Sequence, residues 1–572
     1  MLVFFLPLVF IQKCEDAYYL PKFALLAGAI QFFVPVLWNI RRLKLSLIDY
    51  FAFAFLAFFG LGVIFAPYKT PALLRLAEWA GVFAVFFYSR HFLKADEIKR
   101  AVLLMIASSC IVAIYAFLQA FNIDLTGWIT DFSGRAFSSL GNPDFLGGFL
   151  VITIPLGLYL GREMGADKTS ILFMAFLSVT LFLSQTRSSI AALAAAFVLM
   201  LFLFPQHFRN NYLYLFAGLI AAILIMKFTG RGLGLVSRFI AAAGSSNPDL
   251  YGRFGMWRTG MNMAMAHPLL GTGAGSIKNV YCLYAKAAPY LETEHLHNDF
   301  IEMAAESGLV VFAAFITFII AAFYALIRKK ETLALIAAVS VTAMCVQAAF
   351  NFPFFILDTK LYFFAIAGLA LNNGRDHEVS LPKTAASAAV FIIMAAVFIR
   401  LLSGSMYLNT GINLMPSKNA TNVLYNLQRA EMTYYDPKMY YYFAEPLNGM
   451  GKTEEAAQYG KKFIEQSPCS KHGYMQYSIT LAENGKIPEA LGVLDKFLMT
   501  YPYDRDALNN KGKMLYMSGQ KAEAIKVYTQ IISMYPGDET AHNNIYAIYQ
   551  SGKMVREAQA EQRRWNEGHK GN

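Results

Sequence analysis

The chain has few charged residues for its length. Only 15% of its 572 residues are Asp, Glu, Lys or Arg, whereas 56% are hydrophobic, and the mean hydropathy is +0.41. This composition excludes an ordinary water-soluble protein, because several apolar runs approach the ~20 residues that a helix needs to cross a bilayer. The sequence therefore predicts an all-α, polytopic membrane protein.

Cysteine is also scarce, and its five copies are scattered. No two of them form a C-x-x-C pair, a spacing typical of zinc sites and redox motifs. We therefore expect neither a metal site nor a disulfide framework. The N-terminus lacks a basic segment and a small-residue cleavage site, so we expect no cleavable signal peptide. The cysteines are Cys14, Cys110, Cys282, Cys345 and Cys469.

Thirteen apolar runs are candidate membrane helices. Because the first run is short, we expect about 12–13 spans. A mixed polar composition begins near residue 405, so we expect a transmembrane domain over residues 1–404 and a separate domain over residues 405–572. The apolar runs fall at 1–12, 23–39, 47–66, 73–92, 100–121, 143–161, 170–184, 188–206, 211–228, 308–327, 331–350, 359–372 and 385–402.

Basic residues are divided unevenly between alternate loops. One set of loops carries 15 and the opposite short loops carry 7, and the richer set of loops faces the cytoplasm in membrane proteins. This places the polar loop 229–299, and the C-terminal domain four spans later, on the outer side of the membrane. The same loops account for the net charge of +11 without nucleic-acid binding. The seven outer basic residues are Lys13, Lys22, Lys69, Arg75, Arg135, Arg187 and Lys360.

A 34-residue period runs through the C-terminal domain. Glycine, alanine and proline recur at this spacing, and the pattern resembles tetratricopeptide repeats, which implies an α-solenoid. Residues 419–450 fit a degenerate leading repeat. Such an array offers a surface for a protein partner or for the substrate, and the alternative is a rigid cap without a ligand. The recurring residues are Gly451, Gly485 and Gly519; Ala456, Ala490, Ala524 and Ala558; and Pro468, Pro502 and Pro536.

Residues 251–309 form the longest mostly polar interval in the first 400 residues. Within it, His297 stands just before Asn298 and Asp299, residue types that cap helices, and a helical apolar pattern follows. A neutral imidazole at the outer end of a helix could take a proton from a hydroxyl. It could equally be a structural histidine at a loop–helix junction. His295 completes an H-x-H pair, but no third zinc ligand is clustered with it.

Four arginines lie on the predicted outer side. Arg187 is at the end of a span, where an ionisable residue is a functional candidate by default. Arg253 and Arg258 flank Trp257, and Arg135 precedes a glycine-rich turn. Arginine suits phosphate because its planar fork stays charged and binds two oxygens at once. The alternative for each arginine is a solvated charge or a contact with lipid headgroups.

Together these residues resemble the bacterial O-antigen ligase and polymerase superfamily over residues 40–400. The matching motifs are SQTRS around Arg187, R-x-x-x-W from Arg253, the AHPLLGTGAGS that follows it, and HND-x6-E-x-G from His297. The GNPDFLGG after Arg135 is similar to a further family loop. Val311 departs from the ligase pattern, which has a small or polar residue at that position.

The resemblance implies an inverting glycosyltransferase embedded in the bacterial inner membrane, with its outer side in the periplasm, that uses neither a metal nor another cofactor. The donor would be a glycan on undecaprenyl diphosphate, and the acceptor would be a hydroxyl of lipid A-core, of a growing polysaccharide or of a protein. His297 would be the base. The residues implied for binding the diphosphate are Arg187, Arg253, Arg258 and Arg135, and the supporting residues are Asn298, Glu302 and Glu306, of which either glutamate could orient His297 or contact the sugar.

Two other classes of function remain open on the sequence. A transporter of the same lipid-linked glycan would place ionisable residues through the centres of its spans, whereas most charges here fall at span ends and in outer loops. A membrane-anchored repeat scaffold without activity would leave the arginines and His297 without a role.

Overall fold

The computed structural model describes residues 1–14, 16–29, 43–124, 132, 134–211, 220, 224–225, 227–228, 248–285, 293–373, 385–417, 419–433 and 436–569. These residues form helices and no β-strand, which confirms the all-α class. In chain order, the α-helices up to residue 414 are α1 (Leu2–Phe5), α2 (Tyr19–Ala29), α3 (Leu47–Phe65), α4 (Lys69–His91), α5 (Ala95–Ala120), α6 (Pro143–Thr153), α7 (Gly157–Arg162), α8 (Asp167–Leu183), α9 (Arg187–Leu203), α10 (Pro205–Asn210), α11 (Pro248–Ala266), α12 (Ile277–Tyr284), α13 (Asp299–Lys329), α14 (Thr332–Ala348), α15 (Leu357–Ala370) and α16 (Ala385–Leu414).

Five helical segments of the described residues are long and apolar enough to cross a membrane. They are α3, α4, α5, α13 and the continuous segment Pro143–Arg162 that contains α6 and α7. The helices α9 and α14 are apolar but shorter, with 17 residues each. The chain is therefore a multi-pass membrane protein built from a helix bundle.

Three predicted spans have a different outcome. Residues 1–12 do not form a full span, because α1 passes into a 3-10 turn containing Pro7 and the chain is extended at Val9. Most of each of the apolar runs 23–39 and 211–228 lies outside the described residues, as does part of the predicted outer loop 229–299.

An aromatic core packs the spanning helices α3, α4 and α13 together with the shorter helix α15. Trp79 and Phe83 of α4 lie between Phe55 of α3, Phe315 of α13 and Phe364 of α15. The Trp79 and Phe315 ring centroids are 5.5 Å apart at 70°, and those of Phe83 and Phe364 are 4.6 Å apart. Inclined ring pairs of this kind add to the gain from burying apolar area. They hold together the middle parts of α4, α13 and α15, and the candidate site is built at the ends of α13 and α15.

Three basic residues that the charge count assigned to outer loops lie instead inside helices, in buried ion pairs. Lys22 pairs with Asp358 at 2.8 Å, and Lys360 pairs with Glu78 at 2.5 Å. Arg75 also pairs with Glu78, at 3.3 Å. A charge inside an apolar bundle is tolerated only with a partner, and here Asp358 serves Lys22 while Glu78 serves both Arg75 and Lys360. The loop count therefore overstated the basic residues of the outer side.

The C-terminal region is a regular helical repeat. One series of helices begins every 34 residues from Thr453. A second series, beginning at Lys471, Arg505 and Glu539, alternates with it, so the predicted helical repeat is confirmed. The helices after residue 414 are α17 (Ala420–Thr433), α18 (Ala444–Gly449), α19 (Thr453–Gln466), α20 (Lys471–Glu483), α21 (Ile487–Thr500), α22 (Arg505–Met517), α23 (Lys521–Met534), α24 (Glu539–Ser551) and α25 (Val555–His569).

The period has a physical basis in two kinds of small residue. Ala490 and Ala524 are 0% exposed, at the contact between paired helices, where a larger side chain would separate them. Gly485 and Gly519 have φ of 76° and 81°, in the left-handed region that glycine adopts without strain. In the degenerate leading repeat, a 3-10 helix at Pro437–Phe443 stands where later repeats have an α-helix.

The chain divides into two compact units. The first comprises Met1–Ser276 and His295–Leu402, and the second comprises Ile277–Glu294 and Ser403–Asn572. The segment 277–294, which we call the strap, therefore groups through its described residues 277–285 and 293–294 with the repeats, although the sequence predicted it within the transmembrane domain. The division near residue 402 falls inside α16.

The second unit contains a disulfide bond, contrary to the expectation from cysteine spacing. Cys282 of the strap is bonded to Cys469 of the repeats, with Cα atoms 5.5 Å apart. The two residues are 187 positions apart in the chain, so no local spacing could reveal the pair. The expectation was wrong because only the fold brings these cysteines together.

Candidate active site

The site is organised around a short loop between α14 and α15. This site loop, residues 349–355, has the sequence AFNFPFF. Asn298 caps α13 through its side-chain oxygen, and its Nδ2 donates to the Ala349 carbonyl at 2.9 Å. The Asp299 N–H donates to the Asn351 carbonyl at 3.2 Å, and the Phe354 N–H donates to the Asp299 carboxylate at 2.8 Å. The N-terminus of α13 is thus fixed to the site loop by three hydrogen bonds.

Arg253 approaches the same loop from α11. Its Nη1 donates to the Phe350 carbonyl at 3.3 Å, and its side chain is half-buried. Trp257 lies one helical turn further on and packs against the Phe350 ring at 6.3 Å. The R-x-x-x-W spacing therefore places both side chains of the motif on the face of α11 that meets the site loop.

His297 lies immediately before the capping residue of α13. Its φ is 52°, an uncommon value for a residue other than glycine, and its ring meets Phe352 edge-on at 5.0 Å. Its Nδ1 is buried and has no hydrogen-bond partner among the described residues. Burial lowers the pKa of His297 from its ordinary value of 6.5, and the positive charge of Arg253 lowers it further. The imidazole is therefore neutral at pH 7 and can accept a proton.

Glu302 holds the other histidine of the H-x-H pair. Its Oε1 lies 2.7 Å from His295 Nδ1, and its Oε2 accepts from the Leu296 N–H at 2.7 Å. The His295 ring stacks on Phe352 at 4.1 Å. Glu302 therefore fixes His295 and the backbone that leads into His297, rather than pairing with the His297 ring.

Glu306 fastens the glycine-rich segment 268–276 to α13. Its carbonyl accepts from the Gly273 N–H at 2.8 Å, and its carboxylate accepts from the Gly275 N–H at 2.9 Å. These contacts form where α13 is interrupted at Gly308, whose φ is 83°. A Cβ at Gly308 would lie 2.3 Å from the Leu269 carbonyl oxygen, so the close approach requires glycine. These hydrogen bonds of Glu306 hold the glycine-rich segment in place and do not involve the rings of His295 and His297.

Arg187 is the first residue of α9, and its side chain is half-buried. No side chain caps this helix, because the Thr186 hydroxyl bonds to the Asp144 carboxylate at 2.9 Å instead. The N–H groups at the start of α9 therefore have no side-chain cap, and the N-terminus of a helix favours an anion. Ser188 accepts from Asn351 Nδ2 at 3.5 Å, and this contact links the end of α9 to the site loop.

The other two arginines have different surroundings. Arg135 donates to the Ser184 carbonyl at 2.8 Å, to the Asp144 carboxylate at 2.6 Å and to the Thr186 hydroxyl at 3.0 Å, so it holds the turn before Arg187. Arg258 is exposed on α11 and makes no hydrogen bond or ion pair with the described residues. Arg253 and His297 contact the site loop directly, whereas Arg187 lies at the end of α9 that Ser188 joins to the loop. Arg135 holds the turn before Arg187, and Arg258 is exposed outside the site loop.

Part of the chain that contains the candidate site residues matches a known protein family. Residues 172–316 match the O-antigen ligase family model. That interval contains Arg187, Arg253 and His297, and the match supports a glycan-transfer function at the membrane in the O-antigen ligase superfamily. Arg135 and the site loop lie outside the matched residues. No curated protein matches the chain.

Solved structures that resemble the chain include several of the protein MamA. MamA 41-end from Desulfovibrio magneticus RS-1 is 15% identical with a TM-score of 0.26, and the match covers 29% of this chain and 94% of that one. A second structure, described as the crystal structure of MamA protein, is 16% identical with a TM-score of 0.26 and covers 29% and 92%. Similarity at this level does not extend to function.

The sequence analysis missed the site loop and the ion pairs behind it. Arg75 donates to the Phe355 carbonyl at 3.3 Å, and its guanidinium lies 5.0 Å from the centre of the Phe355 ring. Through Glu78 and Lys360, this contact ties the loop to α4 and α15. The one signal in the sequence was the Asn-Phe-Pro break between two predicted spans, because Asn351 interrupts an otherwise apolar stretch.

Proposed function

We propose that the chain transfers a glycan from an undecaprenyl-diphosphate-linked donor to an acceptor hydroxyl at the outer face of the bacterial inner membrane. The observation that carries this proposal is that the half-buried His297 and Arg253 both contact the site loop, which Ser188 joins to the uncapped end of α9. A proton acceptor beside two cationic groups is what transfer from a diphosphate leaving group needs. The family match over residues 172–316 supports the same reaction class.

In the reaction, the acceptor oxygen attacks the anomeric carbon of the donor sugar while the bond to the diphosphate breaks. The acceptor proton passes to His297, and the lipid diphosphate leaves with the electron pair. Arg187 and Arg253 bind the diphosphate and stabilise the charge that it gains. Attack opposite the leaving group inverts the anomeric carbon. The arginines supply the positive charge that a divalent ion would otherwise provide, so the proposed reaction requires no metal.

The acceptor divides this proposal into related activities. A lipid A-core acceptor makes the chain an O-antigen ligase, a growing glycan makes it an O-antigen polymerase, and a protein hydroxyl makes it a protein O-oligosaccharyltransferase. The helical repeat offers a surface on which a protein acceptor or an assembly partner could be held. Deleting the gene and profiling surface glycans and glycoproteins together distinguishes these activities by which acceptor class loses its glycan.

The test of the chemistry is glycan transfer from purified lipid-linked donor in nanodiscs. His297→Ala should lower turnover by ~10²–10⁴-fold while donor binding changes little, because a positioned base acts in the chemical step. Arg253→Ala should weaken donor binding as well as turnover. Arg253→Lys should restore only part of the loss, because an ammonium group cannot bind two oxygens in a fixed plane. Arg258→Ala is the matched control, since Arg258 is exposed on the same helix outside the site.

Two results would count against this assignment. Full turnover by the His297→Ala protein would remove His297 as the base. Loss of transfer in EDTA, with recovery when a divalent ion is added, would replace the arginine mechanism with a metal-dependent one.

A transporter of the lipid-linked glycan remains the second candidate, and one observation favours it. The buried ion pairs of Lys22 with Asp358 and of Lys360 with Glu78 are of the kind that line intramembrane pathways. The same nanodisc experiment distinguishes the two functions, because a transporter would form no glycosylated product from donor and acceptor.

A further inference from the structure

The disulfide of the second unit lies in a protected environment. Cys282 and Cys469 are each 4% exposed, and the Cys282 N–H donates to Cys469 Sγ at 3.2 Å. Tyr474, Phe497 and Tyr501 of the repeats pack in the same apolar cluster. The two cysteines are therefore held together by their surroundings as well as by the bond, as expected of a structural disulfide and not of two thiols that meet by chance.

The strap that carries Cys282 has an unusual place in the chain. It belongs to the second unit, although Ser276 before it and His295 after it belong to the first. Lys278 near its start pairs with Glu294 at its end, with 3.4 Å between Nζ and Oε1. The next residue after this ion pair is His295, which Glu302 fixes, and His297 follows two positions later. The strap is thus the chain segment that directly precedes the residues around the proposed base.

We propose that Cys282 and Cys469 are a site of oxidative modification whose bond fastens the strap to the repeats and is required for efficient glycan transfer. The two thiols lose two protons and two electrons as the sulfur–sulfur bond forms. The electrons pass to a disulfide of a dithiol–disulfide oxidoreductase, which is the class of oxidant that acts in an extracytoplasmic compartment. The strap and the repeat domain therefore mature on the outer side of the membrane.

The first part of this inference concerns the bond and is independent of any activity. The second part, that the bond assists transfer, rests on the proposed function. Its physical reason is positional, because displacement of a catalytic group by ~1 Å costs as much as 10²-fold in rate. A strap bonded to the repeats has less conformational freedom than one held by non-covalent contacts, and it ends at the residues that position His297.

The bond is tested by counting thiols in the full-length protein. Membranes are denatured in a maleimide–polyethylene glycol reagent, with or without prior reduction, and adducts are counted by gel mobility. The chain has five cysteines, of which two are bonded, so three adducts are expected without reductant and five with it. Cys282→Ser or Cys469→Ser should give four adducts under both conditions. Cys110→Ser, the matched control, should give two and then four, because Cys110 is unpaired.

Cells that lack the compartment's thiol oxidant should give five adducts from the native chain without reductant. Five adducts from oxidant-competent cells would overturn the modification site. Three adducts from cells without the oxidant would overturn the enzymatic route.

Transfer is then measured for the native protein, each single serine variant and the double variant in nanodiscs. Loss of the bond should lower kcat roughly tenfold, and the double variant should match the singles because all three lack the same bond. Cys110→Ser should transfer as the native protein does. Equal turnover with and without the bond would overturn the requirement and leave the proposed function standing. If the native protein transfers no glycan, both the proposed function and the requirement of the disulfide for transfer are disproved. The adduct count still shows whether the disulfide forms.

Discussion

The chemistry proposed for this chain depends on the protonation of one imidazole. His297 is half-buried beside Phe352, and both its burial and the charge of Arg253 favour the neutral ring. The same arginine that would bind the donor therefore also keeps the base unprotonated. The two roles are linked, because a bound diphosphate would offset the charge of Arg253 and make the imidazole more basic when the acceptor arrives.

This linkage predicts the pH dependence of transfer. The base form of His297 exists above its pKa, and that pKa is lowered from 6.5, so kcat/KM should hold through pH 6.5 and fall only at lower pH. Arg253→Gln removes the second cause of the lowered pKa, so the acid limb should move to higher pH in the residual activity. The measurement is kcat/KM across pH 4.5–8 at constant ionic strength. An acid limb above pH 6.5 in the native protein would contradict the lowered pKa.

At the scale of single elements, the repeats show how small residues set the contact between helices. Ala524 is 0% exposed on α23, whereas Ala522, two positions earlier on the same helix, is exposed. Tyr528 and Ile531 of the same helix are also buried, in the cluster that joins α23 to its neighbours. One face of α23 is therefore closed to additional volume and charge, and the other is open to solvent.

Ala524→Arg should destabilise the second unit by about 2 kcal/mol or more, because it forces volume and an unpaired charge into a helix contact. Ala522→Arg on the exposed face should change stability by less than about 0.5 kcal/mol. The measurement is thermal unfolding of the full-length protein, with limited proteolysis by an enzyme that does not cut at arginine to locate the change. Equal melting of the two variants would mean that the repeat register is wrong.

At the scale of the whole molecule, two independent observations predict that the strap and the repeats lie on the outer side of the membrane. The basic residues are concentrated in the loops predicted to face the cytoplasm. The bond between Cys282 and Cys469 also requires an oxidising compartment for both of its partners. Lys22, Arg75 and Lys360 lie in helices and no longer count as loop residues. Their removal lowers the number of basic residues only in the loops predicted to be outer, so the charge asymmetry becomes larger.

The expected outcome is that the strap and the repeats label from the same, outer side. The test uses a chain in which Cys14, Cys110 and Cys345, the cysteines outside the disulfide, are replaced by serine. A single cysteine introduced at Glu294 or at Glu557 should then react with a membrane-impermeant maleimide on intact spheroplasts. A cysteine at Glu163, in a loop predicted to be cytoplasmic, should react only after the membrane is opened. Labelling of one outer position without the other would disprove the shared compartment.

The sequence alone determined the features that depend on local pattern. Long apolar runs, a 34-residue period and a capping residue at Asn298 each specify structure through neighbours close in the chain, and the all-α fold, the helical repeat and the start of α13 followed from them. The motif residues Arg187, Arg253 and His297 were also identifiable, because their spacing carries the resemblance to a superfamily.

Tertiary structure decided which of those residues meet and what holds them. The site loop contacts Arg253 and Asn298 through backbone carbonyls and the end of α9 through the Asn351 side-chain amide. Every residue has a backbone carbonyl, and side-chain amides are common, so these contacts leave no recognisable pattern in a sequence. From its position in the chain, Glu302 could have oriented either histidine. In the folded backbone its carboxylate lies against His295. Cys282 and Cys469 are 187 residues apart, and a contact at that distance is specified only when the intervening chain has folded.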